Sequence, residues 1–214
     1  MEAISNNRFV GCGVGTIVTS IIQSSSATTV MVVGFVNAGI MTLEQAVGVI
    51  IGANIGTTVT AQIIAFKITK FSLPVIFLGT VIFLFAPKRK WRFTGQVFLG
   101  FGLVFFGMAI MKEGFAPLKD SPFFLSLFTR FSGDNLLSII LCIMVGTIFT
   151  VILQSSSVTV GIVMALASQG LLNFNGSVAL ILGDNIGTTI TAQLASIGGN
   201  VTARRAANAH TMFN

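Results

Sequence analysis

Two runs of hydroxyl side chains, Gln23-Ser24-Ser25-Ser26 and Gln154-Ser155-Ser156-Ser157, are the residues here best suited to hold an ion. They stand 154 − 23 = 131 positions apart. A second polar island follows each in the same phase, Gly52-Ala53-Asn54-Ile55-Gly56-Thr57-Thr58 and Gly183-Asp184-Asn185-Ile186-Gly187-Thr188-Thr189. Three successive hydroxyls at a helix start can cap free backbone N–H groups and leave others pointing outward. The positive end of the helix dipole favours an anion at the same place. Ser24, Ser25, Ser26, Ser155, Ser156 and Ser157, with Thr28 and Thr159 beyond them, are thus candidate oxyanion ligands. Asn54, Thr57, Thr58, Asn185, Thr188 and Thr189, with carbonyls freed wherever the helix unwinds, offer the all-oxygen set a hard cation needs. Asp184 adds a carboxylate where the first copy has Ala53. A serine nucleophile would need a base, and the only histidine is His210, in a basic tail, so no catalytic residue is assigned.

The elements that carry these islands are apolar. The 214 residues are 53% hydrophobic and only 8% charged, and mean hydropathy is +0.92. A soluble domain carries about 25% charged residues. An all-α membrane protein forming one membrane unit over 1–214 is expected. The net charge of +6 does not point to nucleic acid, because Lys88-Arg89-Lys90 with Arg92, and Arg204-Arg205, sit beside apolar segments as topology-setting loop charges do. Cys12 and Cys142 lack metal-ligand spacing and read as small core residues. No secretory signal is expected at Met1–Arg8, which is polar.

Arm length decides how the first island is carried. Val14–Ile22 rises only about 14 Å as a helix and Ala27–Ala38 about 18 Å, against a hydrocarbon core of about 30 Å. A re-entrant hairpin with a polar tip is expected, a single broken span being the rival. Gly52–Thr58 interrupts the next span, Ala46–Phe66, with poor helix-interior residues, which predicts an unwound transmembrane helix ended by Lys67 and Lys70. Leu73–Ala86 and Val97–Met111 are further spans, and Lys112–Asn135 is a surface connection. Repeat one covers 14–66, the connecting spans and loop 67–134, and repeat two 145–197. If each hairpin returns to its starting side, three crossings separate the repeats, and an odd number inverts the second. The basic loop and Arg204-Arg205 then share one side.

In these motifs the chain resembles the type II sodium-phosphate cotransporters and their bacterial relatives. Gln-Ser-Ser-Ser occurs in both repeats, with Gly-Ala-Asn-Ile-Gly-Thr-Thr and Gly-Asp-Asn-Ile-Gly-Thr-Thr downstream in the family's order. The resemblance implies sodium-driven phosphate uptake by alternating access in a cell (plasma or inner) membrane, multi-pass. It also implies Na+ as coupling ion with no organic cofactor, and phosphate, sodium and the lipid bilayer as partners; a homo-oligomer is compatible with it. It puts phosphate on the serines and associates Gln23 and Gln154, with the Asn and Thr residues of the second motif, with sodium and substrate. The helix Val97–Met111 has no counterpart before repeat one, so a fragment or minimal member lacking outer helices is expected. A carrier of dicarboxylate or sulfate, or a non-transporting subunit, are the rival readings.

Overall fold

The computed structural model describes residues 7–65, 71–122 and 131–214, and every regular element among them is a helix. The first repeat is α1 (Arg8–Ile22), α2 (Ser25–Asn37) and α3 (Leu43–Ala65). Then come α4 (Ser72–Phe85), α5 (Arg89–Phe115) and a short 3-10 turn, Ala116–Asp120. The second repeat is α6 (Leu136–Leu153), α7 (Ser156–Ser168), α8 (Phe174–Thr188) and α9 (Ile190–Ala195), and α10 (Val201–Phe213) follows. Asparagine opens α1 and α6: Phe9 N–H donates to Asn7, and Ser138 N–H to Asn135. At α3 Thr42 and Gln45 cap each other reciprocally, backbone N–H to side-chain oxygen in both directions. Lys67 and Lys70, expected to end the span, and positions 123–130 of the 112–135 connection lie outside the described residues.

Glycines set the geometry of each repeat. A Cβ on Gly52 would overlap the carbonyl oxygen of Cys12, one on Gly56 would stand 2.7 Å from that of Thr16, and one on Gly48 3.0 Å from that of Arg8. Backbone therefore meets backbone along the α1–α3 seam, as small residues allow. The partners advance together, Arg8 with Gly48, Cys12 with Gly52, Thr16 with Gly56, so α1 and α3 run parallel. Two parallel helices need a returning connection, and α2 supplies it. Repeat two does the same: Gly183 lies on Ile143 and Gly187 on Thr147, which makes α6 and α8 parallel with α7 returning.

This seam corrects one expectation. Gly52–Thr58 does not unwind, because α3 is helical from Leu43 to Ala65. Its glycines serve close approach, and its threonine hydroxyls turn back to their own helix, Thr57 to the Ala53 carbonyl and Thr58 to that of Ile55. In repeat two the helix only tightens at Thr189, which keeps right-handed helical angles between α8 and α9. Nor is the basic cluster a loop: Arg89–Arg92 form the first turn of α5, with Arg89 over the Phe93 ring at 5.3 Å and Arg92 over that of Phe83 at 5.6 Å.

The expected basic tail is also a helix. In α10, Ala203, Ala206, Ala207 and His210 are buried at helical spacing and close over α2 and α3 of the first repeat. The three alanines share a core with Val33, Val36, Ala46, Ile50 and Ala192. Asn200 ties the start of α10 to Asn37 through two hydrogen bonds of 2.8 and 3.0 Å, and Asn214 meets Asn54 at the other end. So α10 runs antiparallel to α2 and parallel to α3. Gln193 of α9 reaches Asn208 and Thr211, so α9 runs opposite to α10. Packing between repeats is crossed, α9 on α2 and α7 on α3.

Among the described residues α5 and α6 are long and apolar enough to cross a membrane. Large apolar side chains stand exposed on α4 and α5, Phe77, Leu84, Phe85, Val97 and Phe98 among them.

If the seam is a backbone contact, Gly52→Ala should destabilise the protein by about 1–3 kcal/mol through overpacking. Gly34→Ala, on the open face of α2 with nothing within 4 Å, should be neutral or stabilising. Thermal unfolding of the two variants in detergent checks the contrast.

Candidate functional site

Each hairpin turns on a glutamine. Gln23 (φ 60°) and Gln154 (φ 54°) are the described non-glycine residues with positive φ, and they occupy equivalent positions. Such a conformation costs a side-chain-bearing residue roughly 1–2 kcal/mol. Side-chain bonds offset the cost: Gln23 Nε2 donates to the Ser20 carbonyl and Gln154 Nε2 to that of Val151 at 2.6 Å. These glutamines are exposed, and each amide nitrogen is engaged on its own helix end. The next residue is a helix N-cap in both copies, Ser24 (φ −146°, ψ 104°) and Ser155 (φ −147°, ψ 101°).

Ser24 Oγ accepts from the Ala27 N–H at 3.2 Å. The hydroxyls of Ser25, Ser26, Ser155, Ser156 and Ser157 make no hydrogen bond among the described residues. They stand over the first turns of α2 and α7, where backbone N–H groups have no intrahelical acceptor. Neither first turn contains an acidic side chain. Ser25 is buried and the other serines are half-buried, so each tip can surround an anion with donors while staying open on one side. No described hydrogen bond joins the serines of one tip to those of the other. Crossed packing does set each returning helix against the opposite repeat.

Thr28 and Thr159 are buried beneath the tips rather than on them. Thr28 bonds Ser24 O and Thr19, and Thr159 faces Thr150 at 2.9 Å. Thr19 and Thr150 are the residues the sequence reading missed. They are buried, they are equivalents (150 − 19 = 131), and each stands four residues before the turning glutamine. In repeat two the chain of hydroxyls continues, for Thr150 donates to Asp184 Oδ1 at 2.6 Å. Its single proton is then used, so Thr159 is the donor to Thr150. Asp184 is 1% exposed and Ala53 fully buried, so the same buried position carries a carboxyl group in one repeat and a methyl in the other.

The remaining oxygen candidates divide. Thr188 and Thr189 are buried with hydroxyls on the carbonyls of Asp184 and Ile186, while Thr57 and Thr58 bond their own helix. A hydroxyl that donates backwards keeps its lone pairs for a cation. Asn54 is half-buried and bonded to Asn214 at 2.7 Å, whereas Asn185 is exposed. A groove of about 380 Å³ between α5 and α7, walled by Val104, Met108, Met111 and Val158, opens beside Ser157. Below α7, a smaller apolar cavity of about 180 Å³ touches Thr159. His210 is fully buried with both ring nitrogens unpartnered, so no tip serine is hydrogen-bonded to it.

The sequence model of the family described as Na+/Pi-cotransporter matches residues 1–113 and 126–210. "Uncharacterized protein YqeW" of Bacillus subtilis (strain 168) is 33% identical over 196 residues, 92% of this chain and 62% of that protein. "Putative inorganic phosphate export protein YjbB" of Escherichia coli (strain K12) is 30% identical over 201 residues, 94% of this chain and 36% of that protein. "Sodium-dependent phosphate transport protein 2B" of Homo sapiens is 41% identical over 64 residues, 30% of this chain and 9% of that protein. The chain thus spans under two thirds of the length of these relatives. No solved structure matches it.

The hydroxyl chain under Asp184 gives a test of stability. Thr150→Val removes a donor from a buried carboxylate and should cost about 1.5–3 kcal/mol, whereas Thr19→Val loses one neutral hydrogen bond, about 1 kcal/mol. Equal shifts in thermal unfolding for the two would contradict the asymmetry.

Proposed function

Because the chain belongs to the Na+/Pi-cotransporter family, we propose that it is a sodium-coupled carrier of inorganic phosphate working by alternating access in a cell membrane. The observation that carries this reading is the pair of serine tips. Hydroxyls with no partner among the described residues stand at two equivalent helix N-termini with no acidic residue in either first turn. Phosphate, a tetrahedral oxyanion with several acceptor oxygens, suits such a donor cluster better than a planar or apolar solute does. Ser24–Ser26 and Ser155–Ser157 bind it in this reading, above Thr28 and Thr159.

Sodium takes the oxygen set: Asn54, Thr57 and Thr58 in one repeat, Asp184, Asn185, Thr188 and Thr189 in the other, with the Oε1 atoms of Gln23 and Gln154 at the turns. An ionised Asp184 repels phosphate unless a cation lies between them, so sodium binds first or together with it. The exposed phenylalanines of α4 and α5 face the bilayer. Re-entrant hairpins in inverted repeats are supported by two features. In each repeat the second helix returns the chain beside its start. By the offset of 131, α9 (Ile190–Ala195) corresponds to positions 59–64 of α3, and it runs opposite to α3.

Direction of transport is the second reading. A relative bears the name of a phosphate export protein, and a symmetric pair of tips serves either direction. Proteoliposomes with imposed sodium gradients separate uptake from export, and competition by sulfate and dicarboxylates against labelled phosphate tests selectivity. Phosphate flux indifferent to the sodium gradient would overturn the coupling.

Two substitutions test the site. Ser25→Ala or Ser156→Ala removes a donor worth about 1.5–3 kcal/mol to a charged ligand, so phosphate affinity should fall roughly ten- to a hundredfold. Unchanged phosphate affinity in both would refute the assignment. Asp184→Asn keeps shape and removes charge. A weaker apparent sodium affinity or a changed sodium-to-phosphate ratio is expected, read from sodium dependence and reversal potential.

A further inference from the structure

We infer that Asn214 is a positioning residue for a cation ligand: it turns the amide of Asn54 so that Oδ1, not Nδ2, is the free end. The inference rests on the sodium reading above and concerns how one of its ligands is aimed. An amide's oxygen and nitrogen are assigned from the network they join, and here the network leaves one choice. Asn214 Nδ2 lies 2.8 Å from the backbone carbonyl oxygen of His210, and that carbonyl can only accept. The nitrogen of Asn214 is therefore fixed, and its Oδ1 points the other way. At 2.7 Å from Asn54, that Oδ1 requires a donor, so Asn54 must present Nδ2 to it. The outward atom of the Asn54 amide is then its carbonyl oxygen, an acceptor with two lone pairs.

The position makes this orientation matter. Asn54 sits in the polar island of α3, one residue after Ala53, the equivalent of Asp184. Repeat one has no carboxylate there, so a cation near α3 depends on neutral oxygens. The bond also joins repeat one to the helix that follows repeat two, since Asn214 caps α10, which is anchored at its start by Asn200 on Asn37. The span of α10 therefore holds Asn214 at one height along α3. Asn214 lies beyond both repeats, and Phe83, 131 positions earlier (214 − 131 = 83), offers no side-chain acceptor. Asn185 is exposed and has no described side-chain bond. The sodium ligand of repeat one is thus held ready, and that of repeat two is not.

The purified full chain in detergent, titrated with sodium chloride against choline chloride at constant ionic strength, provides the test, with thermal stabilisation as readout. In Asn214→Leu the half-saturating sodium concentration should rise roughly three- to tenfold, the size of one neutral hydrogen bond. Asn214→Asp still accepts from Asn54 Nδ2 and should stay nearer the parent. The double variant Asn54→Ala/Asn214→Leu should be no worse than Asn54→Ala alone, because both act through one bond. Should Asn214→Leu fail to fold, Asn214→Ala carries the same comparison. A parent that responds to sodium while Asn214→Leu titrates identically overturns this inference alone, as does full additivity in the double variant. A parent with no sodium response overturns it together with the sodium reading.

Discussion

Backbone pressed against backbone is the contact from which the rest follows. Where Gly52 meets Cys12, and Gly183 meets Ile143, no side chain separates the helices. Such contact gains dispersion over a long seam, and it tolerates nothing larger at those positions. It also makes α1 parallel to α3 and α6 parallel to α8, which obliges the chain to double back between them. The reversal falls at Gln23 and Gln154, and there the serines become the first residues of a new helix. A polar tip is the by-product of a packing rule, and the anion chemistry is built on it.

The two repeats share this frame and differ in what lies beneath the tip. Thr19 passes its hydroxyl proton to Thr28, which donates on to the Ser24 carbonyl, while Thr150 and Thr159 pass theirs toward Asp184. A buried carboxylate is tolerated only when donors surround it. The asymmetry therefore lies in charge and not in shape, and equal backbone scaffolds give unequal electrostatics at the two tips.

Much of this was readable from the residues, and the failures have identifiable causes. The repeat and a helix break at each Gln-Ser-Ser-Ser island follow from the 131-residue offset, whereas the first arms are longer than Val14–Ile22 suggests, since α1 begins at Arg8 and α6 at Leu136. The glycines of Gly52–Thr58 misled, because low helix propensity describes an isolated helix. In a tight helix pair the same residues are there for lack of volume. The helix Val201–Phe213 was read as a tail because its buried face is Ala203, Ala206 and Ala207, whose small side chains barely register as apolar. Thr19 and Thr150 lay within long apolar runs, and only their duplication marked them. Asn214 could not be found by repeat logic at all, since it lies beyond both repeats.

The crossed contacts have a consequence for motion. α2 of the first repeat carries α9 of the second and α10 beyond it, and α3 touches α7. A boundary drawn between the repeats along the chain is therefore not a plane of cleavage in space. Pulling the halves apart would expose Ala192, Ala203 and Ala207 and break the Asn37–Asn200 clasp. The hairpin of α4 and α5 is attached differently, each helix mainly to the other, with α5 resting on α7. Among the described residues, rotation of the α4–α5 hairpin about its contact with α7 leaves the core of α2, α3, α9 and α10 intact, whereas parting the repeats does not.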